Sequence, residues 1–440
     1  MTQPLATPLS KIAADRGIKY FLISFADVRG TQRAKLVPAA AIDKIAAEGA
    51  GFAGFAAWLD MTPADPDALA IPDPASLIQL PWKREVGWMA GDLVVAGQPV
   101  EHAPRRVLQR QIERARREGL RVRTGVECEF FVLSPDGAAI GDARDQQSKP
   151  CYDQLALMRR YDLITQICDA MLALGWGACQ NDHEDANGQF EMNWTYSDAL
   201  TTADRHAFFK YMVKSLAEAH GLRATFMPKP FAEQSGNGCH VHVSGWDAPH
   251  GETNLFCDAA GELGLSSMAY QFMGGVLHHA EALCALTNPT VNSFKRLNAA
   301  PTTSGATWSP NAVSYGGNNR THMIRIPDVD RFELRLPDGA ANPYLLQAGV
   351  IAAGLDGLAQ RRAPGPRHDN NMYTNPLGAD QARRLPGNLL DALRALGADH
   401  AMAEALGPAF VRSYLKLKEQ EWAEHQAQLS PWERQTTLDC

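Results

Sequence analysis

The sequence predicts an α+β protein: a small mixed N-terminal domain, then a larger one built on a curved sheet with helices behind it. Three observations carry this expectation. Strand-length apolar runs fill roughly the first hundred residues, amphipathic stretches of helical length follow from about Ala103, and four short segments between them alternate with period two. The domains are expected at residues 1–102 and 103–440.

In chain order, Ile18–Phe25 and Gln32–Val37 read as strands and Ala39–Glu48 as a short helix. Met61–Pro74 is rich in Pro and Asp and reads as a connection, with Leu77–Trp82 and Val86–Ala96 as further strands. Pro104–Glu118 is a basic amphipathic helix whose proline stands near the start, where a missing N–H costs little. Asp153–Leu174, Asp204–His220, Leu265–Leu286, Pro343–Leu358 and Gly407–Leu429 have helical length and spacing. No internal repeat or low-complexity segment interrupts them.

Composition bounds the function. The 440 residues are 45% hydrophobic and 21% charged, enough apolar content for a sizeable core. A net charge of −7 with no basic stretch argues against nucleic acid as a partner. No run approaches the roughly 20 apolar residues needed to span a bilayer. Met1–Ser10 lacks the basic start and apolar core of a signal peptide. The eight cysteines form no CxxC pair and are expected to be reduced thiols, which makes the cytoplasm the expected compartment.

The chemistry lies in the four alternating segments. Successive strand side chains point to opposite faces. Val126-Glu127-Cys128-Glu129-Phe130 therefore places Glu127 and Glu129 together, and Gln189–Trp194 places Gln189, Glu191 and Asn193 together. Cys239–Ser244 groups His240, His242 and Ser244, and Arg331–Leu336 groups Arg331, Glu333 and Arg335. Each alone fits a solvated strand face. If all four share one sheet, four carboxylates, two histidines and two arginines line one concavity. Such groups cluster on sheet faces when paired or metal-bound. Carboxylates with an occasional imidazole suit Mg²⁺ or Mn²⁺. Arginines beside such a site suit an anionic substrate such as phosphate, with two metals able to hold opposite sides of a phosphoryl transfer.

Glu184, in the loop His183–Gly188 leading into the Glu191 strand, is a fifth possible carboxylate. Ser235-Gly236-Asn237-Gly238 offers either close backbone approach to a ligand or a plain turn. Arg320 and Arg325, near Arg331, form either an anion-binding cluster or a solvated loop. Neither a P-loop nor a Rossmann fingerprint is present.

At these residues the sequence resembles the glutamine synthetase superfamily over nearly its whole length. The match runs through Gly125–Phe130, Asn181–Glu184, Gln189–Glu191, Lys229-Pro230-Phe231 and Gly236–Ser244. It continues through Pro289–Leu297, Arg325-Ile326-Pro327, Arg331–Asp338 and Ala341–Tyr344. The resemblance implies an N-terminal β-grasp domain, a catalytic domain with a curved antiparallel sheet, and rings, commonly dodecamers of two hexamers, with active sites between subunits. It implies that Glu129, Glu184 and Glu191 bind the metal nearer glutamate, and Glu127, His240 and Glu333 the metal nearer the ATP phosphates. Arg296 and Arg335 fall where the family grips glutamate, with Gly236 in backbone contact. Arg320, Arg325 and Arg331 match arginines near phosphate, and His242 and Ser244 nucleotide-side positions. The implied reaction uses ATP and Mg²⁺ (or Mn²⁺) to form γ-glutamyl phosphate, which a neutral amine attacks. Asp182 and Glu184 are conceivable bases for that amine.

Two departures fall where the family holds ammonium. Its Phe-Asp-Gly-Ser-Ser loop reads Phe52-Ala53-Gly54-Phe55-Ala56 here, with no acid from Gly49 to Leu59. Its flap glutamate is missing from Leu297–Ser304, where Thr302 stands, and no acid appears before Asp328. A larger, less polar pocket walled by Phe52, Phe55, Trp58 and Trp308 is expected. Such a pocket implies methylamine as the amine. The sequence also resembles the type III (GlnT-like) branch of the family, to which γ-glutamylmethylamide synthetase activity is attributed beside glutamine synthetase. Tyr373 resembles an adenylylated tyrosine, but the acidic Pro-rich sequence expected after it is absent. Rival readings are a glutamine synthetase using ammonium, a ligase for larger amines, an inactive sensor or scaffold, and a two-metal nuclease or phosphatase.

Overall fold

The computed structural model describes residues 7–248, 250–378 and 381–440. Residues 1–6 of the Met1–Ser10 stretch lie outside the described residues. Among the described residues, no helix is long and apolar enough to cross a membrane.

A seven-stranded N-terminal sheet has the order Gln32–Pro38, Tyr20–Ala26, Val86–Val95, Ala68–Pro72, Ala50–Phe52, with Ile78–Gln79 and Gln98–Pro99 also on Val86–Val95. Tyr20–Ala26 runs antiparallel to Gln32–Pro38 and parallel to Val86–Val95. Its alternate residues Phe21, Ile23 and Phe25 are buried in one cluster with Leu9, Ala13 and Ile42 of the helices Leu9–Arg16 and Ile42–Glu48. The Pro/Asp-rich stretch was expected to be a connection, yet it ends in the strand Ala68–Pro72. Ala68 and Ala70 are fully buried there, so tertiary packing overrides a composition of low β propensity. Leu77–Trp82 is strand only at Ile78–Gln79.

The second sheet has nine strands. Its main order is Tyr315–Gly316, Ile324–Asp328, Arg331–Leu334, Cys239–Asp247, Leu120–Leu133, Gln189–Met192, Asn181–His183. All four alternating segments are thus consecutive neighbours in one sheet. Its pairs are antiparallel except Tyr315–Gly316, which runs parallel to Ile324–Asp328. The face carrying Val126, Cys128, Phe130, Phe190, Val241 and Phe332 is buried in the main core, together with Phe208, Phe209 and Met212 of the helix Ala199–Ala219. On that face the Cys128 thiol meets His206 Nε2 at 3.2 Å. All eight cysteines are free thiols.

The helical expectations hold with breaks. Asp153–Leu174 is two helices, Gln154–Arg159 and Tyr161–Ala173, and Leu265–Leu286 divides into Ser267–His278 and Ala280–Thr287. The helices Leu389–Ala398, His400–Leu406 and Pro431–Thr437 were not anticipated, being short.

Two buried charge clusters tie the layers together. Arg105, at the start of the helix Pro104–Arg117, meets Asp73 at 2.7 Å, Asp92 at 2.6 Å and Asp204 at 2.9 Å, joining the N-terminal sheet to Ala199–Ala219. His279, at the break between two helices, meets Asp399 through Nδ1 at 2.6 Å and Asp356 through Nε2 at 2.9 Å. Burial pushes the His279 pKa down, but hydrogen bonds and charge from Asp399 and Asp356 outweigh it, and the net shift is upward.

Arg105→Met leaves Asp204 buried without its countercharge and is expected to destabilise the protein by about 3–5 kcal/mol, read as a lowered thermal midpoint; an unchanged midpoint contradicts the role. For His279 the folded pKa lies above the unfolded one. Its stabilisation is therefore complete below about 6.5 and fades as pH rises through the folded value. The midpoint difference between wild type and His279→Gln is expected to shrink on that rise.

Candidate active site

Register builds the site. Glu127 lies across from His240, Glu129 across from Glu191, and His242 across from Glu333. The loop after Asn181–His183 adds Glu184. It is held by the buried Asp145, which meets His183 Nε2 at 2.6 Å and accepts from the Gly188 amide at 2.6 Å.

Two lobes result. Carboxylate oxygens of Glu129, Glu184 and Glu191 lie within 4.8 Å of one another. In the second lobe, His240 Nδ1 is 3.3 Å from Glu127 and 3.5 Å from Glu333, and His242 Nε2 is 2.8 Å from Glu127. Glu127, Glu191 and His240 also share a 4.8 Å neighbourhood, which places the lobes side by side.

The lobes differ electrostatically. Burial pushes the Glu127 carboxyl up, but hydrogen bonds from His240 and His242 hold it well below the usual range. For Glu333, burial is likewise outweighed, by Arg335 and His240. In the first lobe burial and neighbouring carboxylates act together: Glu184 and Glu191 are pushed well up. Asp182 is pushed up to about 6 by burial and the charges of Glu129 and Glu127. Three crowded carboxylates that lack a countercharge fit a hard divalent cation. So does His240 Nε2, buried without a partner among the described residues.

Arg320, Arg325 and Arg335 line a cavity of about 150 Å³ together with Glu129, Glu184 and Glu191 of the first lobe, Glu127 and His240 of the second, Asp182 and Gly236. Arg325 donates to Glu333 at 2.8 Å, and Arg335 bonds the other oxygen of the same carboxylate. Arg296 is buried behind this wall and donates to the Leu336 carbonyl at 3.1 Å. Glycine is required at 236 and 238. A Cβ at 236 would lie 2.4 Å from the Pro228 carbonyl oxygen, and one at 238 would lie 2.9 Å from Glu129 Oε1.

Other expected residues lie outside this cavity. Ser244 accepts from the Trp246 indole at 2.9 Å, and Arg331 reaches His242 Nδ1 at 3.2 Å, on the flank of the second lobe. Of the expected pocket walls only Trp308 lines the cavity within one chain. Phe52 packs edge-on against Phe25 at 4.9 Å, Trp58 lies under the Arg29 guanidinium at 3.5 Å, and Phe55, beyond Ala53, is 51% exposed. Phe52, Ala53, Phe55 and Trp58 belong to the N-terminal sheet and the loop after its strand Ala50–Phe52, and none of them lines the cavity. Thr302 turns onto Asp185 at 3.1 Å. Asp185 and Asp145 were missed, since nothing local separates an anchoring aspartate from a solvated one. The Tyr373 hydroxyl is buried.

Divalent cation is expected to stabilise the protein against heat, by about 2.7 kcal/mol at a hundredfold excess over Kd. Glu191→Gln is expected to lose most of that shift; an undiminished shift in the variant contradicts the first lobe as a cation site.

The sequence and fold match known proteins. The model of the glutamine synthetase catalytic domain matches residues 101–437. A glutamine synthetase of Rhizobium meliloti (strain 1021) is 59% identical over 431 residues, covering 98% of this chain and 99% of the relative. A glutamate–methylamine ligase of Methyloversatilis universalis is 43% identical over 431 residues, covering 96% of each chain. A solved structure described as "GmaS/ADP complex-Conformation 1" superposes with a TM-score of 0.95 at 62% identity, covering 99% of this chain and all of that one. With a β-grasp N-terminal part and this catalytic sheet, the chain belongs to the glutamine synthetase family.

Proposed function

We propose that this glutamine-synthetase-type ligase forms a γ-glutamyl amide from glutamate, ATP and an amine, and that the amine is methylamine. The observation that carries methylamine is the flap: residues 297–304 bring no acid to the cavity, and Thr302 and Ser304 spend their hydroxyls on Asp185. Trp308 adds apolar surface to the same wall. Burying one methyl group there favours the substituted amine by about 0.8 kcal/mol. The likeness to the methylamine ligase and to the GmaS structures supports this choice.

In this reading the γ-carboxylate of glutamate attacks the terminal phosphorus of ATP and ADP leaves. The neutral amine then attacks the acyl carbon and phosphate leaves, with the amide remaining. Arg320 and Arg325 stabilise charge on the transferred phosphoryl group. Arg296, Arg335 and Gly236 hold glutamate. His242, Ser244 and Arg331 lie toward the nucleotide, and Asp182 takes the amine proton. Glu129, Glu184 and Glu191 would hold one divalent cation and Glu127, His240 and Glu333 another, which supply positive charge beside the phosphates. The chain acts as a cytoplasmic homo-oligomer, a dodecamer of two hexameric rings, dividing at residues 1–102 and 103–440. In it a neighbouring subunit's Phe52-Ala53 loop completes the amine pocket, and exposed Phe55 supports that contact.

Ammonium is the second reading, supported by the name of the 59% identical relative. Methylamine is expected to give a kcat/KM at least about fourfold above ammonium, from the buried methyl alone. The measurement is phosphate release with the product identified by mass. A preference for ammonium contradicts the methylamine assignment.

A further inference from the structure

Asp185 gathers a set of donors unlike any other side chain in the cavity. Its Oδ2 lies 2.7 Å from Ser235 Oγ, 3.1 Å from Thr302 Oγ1, 2.9 Å from Ser304 Oγ and 2.7 Å from the Trp308 indole nitrogen. Two of these four groups, Thr302 and Ser304, belong to the flap, and Trp308 follows it by four residues. Its other oxygen, Oδ1, is buried and has no hydrogen-bond partner among the described residues. Asp185 itself is only 5% exposed, and it lines the cavity beside Glu184 and Trp308.

We propose that Asp185 is the acid of the amine subsite, receiving the alkylammonium form of the substrate on Oδ1 while Oδ2 holds the flap closed. Identifying the ligand as an amine rests on the function proposed above; its charge class rests on the cavity. An anionic oxygen buried without a partner is costly, and a cationic N–H is the group that relieves it. Asp182 lines the same cavity and, ionised at neutral pH, disfavours an anion there. A metal is not the expected partner either, because Asp185 is in none of the ligand groups gathered within 4.8 Å. The flap carries no acid of its own, and the facing loop supplies one. The indole fixed by Oδ2 gives the cation's methyl group an apolar neighbour. Asp185 thus selects the cation and sets the flap with one carboxylate.

The test uses three nucleophiles at neutral pH. Methylamine and ammonium are cations there, whereas hydroxylamine is neutral. Asp185→Asn keeps an acceptor for the flap and removes the charge. Its kcat/KM for methylamine and for ammonium is expected to fall about 10- to 100-fold relative to hydroxylamine in the same enzyme, the size of one lost charge-assisted hydrogen bond. The loss should appear in the amine KM, while glutamate and ATP KM stay near wild type. Asp185→Glu keeps the charge and is expected to hold the wild-type ratio. Thr302→Val removes only a flap bond and is expected to affect all three nucleophiles alike. If Asp185→Asn slows all three equally, or none, the proposal is overturned, and Asp185 only supports the flap. If wild type prefers ammonium while Asp185→Asn still shows the selective loss, the methylamine assignment fails and the role of Asp185 stands.

Discussion

The pairing of Glu129 with Glu191 across two antiparallel strands is the constraint on which the rest depends. Like charges directly opposite each other on a sheet face repel. Here they are also buried, with Glu184 brought to within 4.8 Å. The register cannot relax by one residue, because a slip would turn Glu127 and Glu129 into the core and Cys128 and Phe130 into the cavity. Packing on the apolar face therefore holds the acidic face together. A hard divalent cation fits what results, so the strand alignment that builds the sheet also builds the candidate cation site.

Around that centre the charges are graded. Glu127 and Glu333 already have imidazole or guanidinium partners, whereas Glu184 and Glu191 have none at ion-pair distance among the described residues. The arginines reach the site from the side of the second lobe through Glu333, which ties Arg325 and Arg335 to the sheet. Positive charge is thus gathered beside Glu333 and the opposite part of the cavity is acidic, a division that the proposed phosphoryl transfer would use. Asp185 extends that acidic end to the flap.

Much of this was legible in the sequence because strand periodicity is rigid. Once Glu127 and Glu129, or His240 and His242, alternate with apolar residues, their shared face follows from geometry alone. Which strands are neighbours does not follow from periodicity: one shared sheet stood as a condition, and the strand order of the structure meets it. The strand Ala68–Pro72 was hidden because the prolines and aspartates around it signal turns and its alanines have little strand preference until neighbouring strands bury them. The breaks at Arg160 and His279 escaped because each interrupts an amphipathic pattern for a single residue. Asp185 escaped because its donors come from residues 235 and 302–308, distant in the chain. The expected walls Phe52, Phe55 and Trp58 were placed by resemblance to the family's N-terminal loop, and in the chain they stand on the N-terminal sheet and its loop, outside the cavity.

The most direct measurement is oxygen transfer. Glutamate labelled with ¹⁸O in its γ-carboxylate is turned over with ATP, methylamine and Mg²⁺, and the released phosphate is weighed by mass spectrometry. Passage through γ-glutamyl phosphate delivers one labelled oxygen to each phosphate released. Unlabelled phosphate, formed at the same rate as the amide, would contradict the acyl-phosphate route and with it the reading of the two-lobed site.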